Sequence, residues 1–500
     1  MRNIMKSKLS SGGKILIFAF ILYVSITVVM LFRHEPWRDE GQAWLIVRDS
    51  PDIWAVFNSM GYEGTPALWY VIIFPLAKLG LPFASMSVVH CLLSILSVFI
   101  FLRYSPFRVW QKIMFIFGYL ILYEFNVIAR SYVLMNLLLF ALASVYPGRH
   151  TKYGGSLYVC LLILLMNVSV FGVIAGGVIG VMFFYEKMRK FGLRALKRWQ
   201  IILAVNIFVI GGILVPFMLL RKPIDIGAHG SFNFMVNREH FYALFIDLAR
   251  SFTVFAFQGS FGQKHLLIIG GMSYLLSLWT IRKNEKCLLL YLFFSLASLG
   301  IFFLENVGYA MRHNGLIYIF FFFTLWIYQI EAVAPRSRID KRVYTIFLTI
   351  VLTIQMVCAL WAARLDFVRD FSAGRKVAQF ISGQNLNTDN YAFAGYRNYT
   401  FSAILPYLPG YKIYSPESKR EMTYMIWDKV SSENEDMSID ALVESLYQYF
   451  TEIESEGKNL VMISNIDLSS NTSFDSQYTL LEKFIGAINS DEDFYIWLHK

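Results

Sequence analysis

Residues 33–70 read RHEPWRDEGQAWLIVRDSPDIWAVFNSMGYEGTPALWY, and the rest of the chain is understood from them. The run before them, residues 15–32, is apolar and long enough to enter a bilayer as a helix. The quoted stretch is different, because Glu35, Asp39, Glu40, Asp49, Asp52 and Glu63 stand among Trp37, Trp44, Trp54 and Trp69. Hydrocarbon expels carboxylates and tryptophan favours the headgroup layer, so this mixture predicts a segment lying along a membrane surface. Pro36 suits the first position of a helix, which places Asp39 and Glu40 in its first turn, where the dipole favours ionised acids. Such a pair either stabilises the helix start or supplies a fixed carboxylate able to take a proton from a hydroxyl.

Composition agrees with a membrane setting. Of the 500 residues 56% are hydrophobic and only 16% charged, which excludes an ordinary soluble protein. A formal charge of +10 would suggest nucleic acid in a soluble chain. Here the bases cluster in short loops between apolar runs, where they set topology, and no nucleic-acid signal is present. Cys91, Cys160, Cys287 and Cys358 all fall in apolar runs and read as small hydrophobes rather than ligands or disulfide partners. The basic leader before residue 15 has no small-residue cleavage site after its apolar run, so that run is expected to stay as the first span.

Eleven span candidates follow: 15–32, 83–102, 110–128, 131–147, 155–170, 171–185, 200–220, 265–281, 287–304, 314–331 and 343–363. With the amino terminus inside, every inner loop is basic: Arg103/Arg108/Lys112, Arg149/Lys152, Lys187 to Arg198, Arg282/Lys283/Lys286 and Arg336 to Arg342. Residues 155–185 are short for two crossings, but one crossing would turn the later basic loops outward, so a pair turning at Asn167 and Ser169 is expected. The apolar run 68–79 is too short to cross and should lie at the interface. Residues 221–264 form a long outer loop, a lid or a tolerated insertion, in which FYALFIDLARSF reads as a surface helix carrying Asp247 and Arg250 on one face.

From Arg364 to Lys500 the chain carries 20 acids against 12 bases, and short apolar strands alternate with helical stretches. The expected fold class is therefore an α-helical polytopic membrane protein of about eleven transmembrane helices, residues 1–363, with a small soluble α/β domain, residues 364–500, outside the membrane. That tail has no phosphate-loop or dinucleotide fingerprint, no nucleophile elbow and no metal-ligand spacing.

The segments EPWRDEGQAWLI and EGTPALWYVIIFPLAKLG together resemble the first outer loop of the polytopic GT-C glycosyltransferases. The likeness is to the bacterial group that includes protein O-mannosyltransferases, the lipid A aminoarabinose transferase and transferases acting on lipopolysaccharide cores. It covers roughly residues 15 to 365 in layout and is carried by motifs around 33–80 and 123–136. It implies that an acid just after the first transmembrane helix is the catalytic base, a position that falls on Asp39 with Glu40 beside it. It also implies a polyprenyl-phosphate sugar as donor and a glycolipid, glycan or protein acceptor at the outer face of a bacterial cytoplasmic membrane. Where many relatives have His-Pro this chain has Thr65-Pro66, so no role for that histidine is carried over.

A sugar leaving from a lipid phosphate develops negative charge on that phosphate, so cations should face it. Arg130 in YEFNVIARSYVLMN matches arginines implicated in donor handling in relatives, although an arginine snorkelling to the interface is the alternative. Asn126, four residues earlier on the same presumed helix face, and Tyr132 are expected to assist it. Arg312 and His313 are a second phosphate candidate, and Arg33 and His34 a third that also suits interfacial anchoring. Glu63 is assigned to the sugar or the acceptor. Asp39-Glu40 is not a DxD pair and no metal-ligand cluster is visible, so transfer without a bound metal or cofactor is expected. The competing readings are a non-catalytic flippase or transporter, against which the missing internal repeats count, and a glycan polymerase or ligase.

Reporter fusions test the orientation. One placed after Lys500 should be active outside the cytoplasm, and one within residues 186–198 inside it; a cytoplasmic carboxy terminus would contradict the topology.

Overall fold

The apolar stretches become helices in a computed structural model that describes residues 11–192, 199–227, 238–253, 263–305, 311–331 and 337–500. Helix α1 (Ser11–Arg33) is followed by three shorter helices, α2 (Arg38–Asp49), α3 (Ile53–Glu63) and α4 (Leu68–Lys78). Asp52 caps α3 by accepting from the Trp54 and Ala55 amides, and Gly64 ends it in the left-handed conformation, φ +61°. Helix α5 (Ala84–Tyr104) returns along α1, then α6 (Val109–Ile116), α7 (Tyr132–Val145), α8 (Lys152–Met166) and α9 (Val170–Phe191) build the wall. Helix α10 (Trp199–Val209) runs through a π-helical turn into α11 (Val215–Leu219); α12 (Arg238–Phe252), α13 (Gln263–Ile281), α14 (Glu285–Glu305), α15 (Met311–Ile330) and α16 (Arg338–Val368) complete the bundle.

Six of these helices, α1, α5, α9, α14, α15 and α16, have the length and apolarity of a bilayer crossing. Their outward side chains stay apolar, with Phe18, Leu92, Val181, Phe293 and Leu360 exposed, a surface that suits hydrocarbon and not water. Helix α15 is the exception: it is sheathed on all sides, from Asn314 to Tyr328. The chain is a multi-pass membrane protein. The turn expected in 155–185 lies where the sequence placed it, with Asn167 closing α8 and the Ser169 hydroxyl accepting from the Gly172 amide to start α9.

Several expectations need correction. The stretch 110–128 is not one helix, because it breaks after Ile116, makes a π-helical turn at Leu120–Glu124 and runs irregularly to Ser131. Gly118 lets α16 approach there, and the Gln355 carboxamide oxygen accepts from the freed Leu120 amide, so the broken ladder is buried in protein and not in lipid. Helix α12 is not a surface helix: Leu248, Ala249 and Phe252 are buried, and the Phe252 carbonyl accepts from Gln355. The glycine-rich part of the expected lid, from 228 to 237, lies outside the described residues. Pro36 precedes the N-cap residue Trp37 and is not the first helical residue. Trp44 and Trp69 are core residues; of the four tryptophans only Trp54 is strongly exposed.

Among the described residues, Arg149, Arg282, Lys283 and Lys286 of the basic loops gather at the end of the bundle away from α2. There they meet acids, with Arg149 on Glu186 at 2.9 Å, Arg282 and Lys283 on Asp340 at 2.8 Å each, and Lys286 on Glu331.

Beyond α16 a six-stranded sheet forms from β1 (Tyr391–Tyr396), β2 (Ile413–Ser415), β3 (Arg420–Met422), β4 (Asn459–Ser464), β5 (Tyr478–Phe484) and β6 (Phe494–His499). The order is β3-β2-β1-β4-β6-β5, with β1 parallel to β2 and β4 and the other pairs antiparallel. Helix α18 (Ile439–Glu454) covers one face through Leu442, Leu446 and Ile453, which lie on its apolar stripe. Helix α17 (Gly374–Gly383) and Leu45 of α2 join the core on the other face. Helix α2 is therefore the joint: Leu45 belongs to the sheet's core, Trp44, Ile46 and Val47 to the bundle's. A Cβ on Gly41 would stand 1.7 Å from the Ser402 carbonyl oxygen, so glycine is what allows the two parts to close there. Gln42 locks the joint by accepting from Ser402 Oγ and the Met425 amide and donating to the Met425 carbonyl.

Candidate active site

The start of α2 is held by Glu40, whose side chain is 0% exposed. One oxygen accepts from the Ala129 amide at 2.6 Å; the other accepts from the Trp37 amide at 3.1 Å and meets His34 Nε2 at 3.2 Å. His34 Nδ1 meets Asp366 Oδ2 at 2.8 Å, and the Tyr123 hydroxyl donates to the same oxygen. The end of α1, the loop before α7, the end of α16 and the first turn of α2 thus share one buried network. Burial opposes a charge on His34, but Glu40 and Asp366 outweigh it and raise the imidazole to about 10. Glu40 is buried among these partners, directly beneath the turn that carries Asp39.

That neighbour, Asp39, faces the opening and is 24% exposed. Arg130 Nη1 lies 2.5 Å and Arg312 Nη2 3.0 Å from the same carboxylate oxygen, Oδ2. Burial works to raise the Asp39 carboxyl, yet Arg130 and Arg312, with Arg38 behind them, hold it below its ordinary range. Arg130 stands in the irregular loop and Arg312 in the first turn of α15, so residues 39, 130 and 312 meet only because the third apolar stretch breaks. The Trp37 ring lies under Arg38 and Arg312, 5.4 and 5.6 Å from their guanidinium carbons. Arg38 also ties this turn to the sheet, through its amide to Glu492 and its guanidinium to Asp491.

Glu63, at the end of α3, is half-buried and accepts from Gln42 Nε2 at 2.7 Å. Burial pushes its carboxyl up to about 7, with Gln42 and Arg130 opposing and the Asp39 charge adding to the rise. The Tyr132 hydroxyl is 2.8 Å from His313 Nε2, beside Arg312. The structure thus brings Asp39, Arg130, Arg312, Tyr132, His313 and Glu63 to one end of the bundle. Asn126 is placed apart: it is buried, and its amide nitrogen donates to Thr27 Oγ1 and the Leu122 carbonyl, which pins α1 to the π-helical turn. It shares no helix face with Arg130, since no helix joins them. Arg33 packs over Phe367 at 4.5 Å, and His34 belongs to the buried network.

Sequence reading missed Asp366, Glu124 and Gln42. Glu124, with the Tyr119 hydroxyl on its carboxylate at 2.7 Å, stands beneath Arg312. An acid inside an apolar run, as Glu124 is, was the available signal. Among the described residues no three His, Cys, Asp or Glu side chains converge as metal ligands.

No protein-family model matches this chain, and no curated protein matches it. Among solved structures it is similar to ArnT from Cupriavidus metallidurans in the apo state, with a TM-score of 0.53 at 11% identity, covering 95% of this chain and 97% of that one. ArnT from the same organism bound to undecaprenyl phosphate superposes with a TM-score of 0.49 at 13% identity, over the same 95% and 97%. At such identities the likeness is one of fold. The chain has the fold of ArnT, in keeping with the resemblance that residues 33–80 carry.

The buried network predicts a pH response. A histidine raised from 6.5 to about 10 contributes stability that is complete below about pH 6.5 and is lost as pH rises through about 10. Removing one partner of such a buried pair costs about 3 kcal/mol. In detergent, His34→Gln should melt well below the parent at pH 6, and the gap should narrow towards pH 10. A gap that is the same at both pH values would contradict the charged imidazole.

Proposed function

We propose that this protein is a glycosyltransferase that moves one sugar from a polyprenyl-phosphate donor to a hydroxyl of a cell-envelope glycolipid, glycan or protein. The observation that carries this reading is the Asp39 carboxylate held between Arg130 and Arg312, at one end of an apolar bundle. The shared fold with ArnT and the resemblance of residues 33–80 to GT-C outer loops support it.

In the proposed reaction the acceptor oxygen bonds to the anomeric carbon as the bond from that carbon to the phosphate oxygen breaks, with inversion. The bonding pair leaves on the phosphate, whose growing charge Arg130 and Arg312 neutralise in place. The acceptor's proton passes to Asp39 and then to solvent. Glu40 is the positioning residue, because it fixes the first turn of α2 against the Ala129 amide. Glu63, with Tyr132 and His313, faces the sugar or the acceptor. Two guanidiniums supply the positive charge at the leaving group, so the reaction proposed here draws on no metal ion or cofactor. We place the site at the outer face of the bacterial cytoplasmic membrane, with eleven crossings, the amino terminus inside and the residue 364–500 domain outside, because the basic loops gather at the opposite end of the bundle.

Mass spectrometry of envelope glycolipids and glycans tests the proposal. Cells expressing the parent protein should carry a species heavier by one sugar residue than cells lacking it. Asp39→Asn keeps size and hydrogen bonding but removes the charge and should cut transfer by roughly two to four orders of magnitude. Arg130→Lys should also impair transfer, since an ammonium lacks the planar fork that grips a phosphate in two places. Parental amounts of the heavier species with correctly inserted Asp39→Asn protein would overturn the reading.

A further inference from the structure

We propose that Arg130 and Arg312 form a phosphate site that Asp39 itself occupies when no donor is bound, so that seating the donor is what frees Asp39 to take the acceptor's proton. This inference rests on the function proposed above and adds an order to it: donor first, then acceptor.

The geometry is that of a site filled by a substitute. A single oxygen, Asp39 Oδ2, meets both guanidiniums, at 2.5 and 3.0 Å. Among the described residues no other carboxylate comes within ion-pair distance of either arginine, and Glu63 and Glu124 act on them only from beyond that distance. The Arg312 Nε–H is buried and has no acceptor among the described residues. A phosphodiester presents two unesterified oxygens to such a pair, and the monoester that remains after transfer presents three with more charge. Either satisfies donors that one carboxylate oxygen leaves unused.

The surroundings suit an exchange of occupants. The arginines have supports of their own: the loop carrying Arg130 is tied by the Ala129 amide to buried Glu40, and Arg312 rests on the Trp37 ring. Asp39, by contrast, is partly exposed, and among the described residues its side chain is held only by the ion pairs at this opening. A carboxylate gripped by two guanidiniums is a poor base, and losing that grip to the incoming phosphate restores its basicity. The donor thus displaces and activates Asp39 in one event. After transfer, Asp39 gives its proton to water and competes again for the arginines, which helps to expel the more highly charged product phosphate. Without a donor, the base stays tied to the arginines and away from any acceptor.

The test is the affinity of the purified full-length protein for undecaprenyl phosphate, the probe with the product's chemistry. Asp39→Asn, and Asp39→Ser as a second variant lacking the amide, should bind it about tenfold more tightly than the parent, as expected when a competing occupant worth about 1.4 kcal/mol is removed. Arg130→Ala and Arg312→Ala should bind more weakly, in the parent and in the Asp39→Asn background alike. Should both Asp39 variants bind no more tightly while the arginine variants still lose affinity, the exchange is refuted and the phosphate site stands. Should the arginine variants bind as the parent does, the phosphate lies elsewhere, and the proposed function falls together with the exchange.

Discussion

A carboxylate with no exposure has to be answered completely from within, and Glu40 is answered by three parts of the chain: the Trp37 amide, the Ala129 amide and His34. Because those partners sit at the ends of α1 and of the broken third stretch, and His34 reaches on to Asp366 at the end of α16, satisfying one buried charge sets the relative positions of several helices. The neighbouring residue then has little freedom in where it stands. Asp39 is carried to the opening by the same turn, and Arg130, one residue after Ala129, is carried to it by the same hydrogen bond. The ion pairs at the opening follow from the buried network beneath them.

The sheet contributes through α2. That helix is buried from Glu40 to Val47, which is unusual for a segment carrying so many charges around it, and it is possible because each face has a different partner. Leu45 enters the core of the sheet, Trp44 and Val47 enter the bundle, and Gln42 spends its amide on Met425 and Glu63. Residues of the sheet region therefore reach the rim of the site, at Arg38 through Glu492 and Asp491, and near α3 through Asp225, which accepts from the Tyr62 hydroxyl with its carboxylate and from the Lys429 amide with its carbonyl. The rim of the candidate site is built by both parts of the molecule.

Much of this was legible from local pattern. The short apolar strands expected in the tail were readable because a central strand is a near-continuous apolar run, as NLVMIS of β4 is. The turn at Asn167 and Ser169 was readable because polar residues with capping side chains interrupt an apolar run of awkward length. Strand β3, three residues of REM, has no apolar pattern and was not readable. The break in 110–128 was hidden for a different reason: a buried irregular segment needs the same apolar composition as a helix, and what stabilises it here, Gln355 at Leu120 and Glu40 at Ala129, lies far away in sequence. Asn126 was misplaced for that reason, and the tryptophans because a buried joint and a membrane surface both favour large amphipathic rings. Asp39 itself was found from its place after the first span, whereas its two arginine partners were found separately and their meeting on one oxygen was not.

The central claim is that the Arg130–Arg312 pair is the seat of a lipid phosphate. The most direct measurement is a cryo-electron microscopy structure of the full chain in lipid with undecaprenyl phosphate added. The account predicts phosphate density between the two guanidiniums, where Asp39 Oδ2 now stands, with the Asp39 side chain turned away and Glu40 still on the Ala129 amide. Phosphate density at another place, with Asp39 still bridging both arginines, would contradict it.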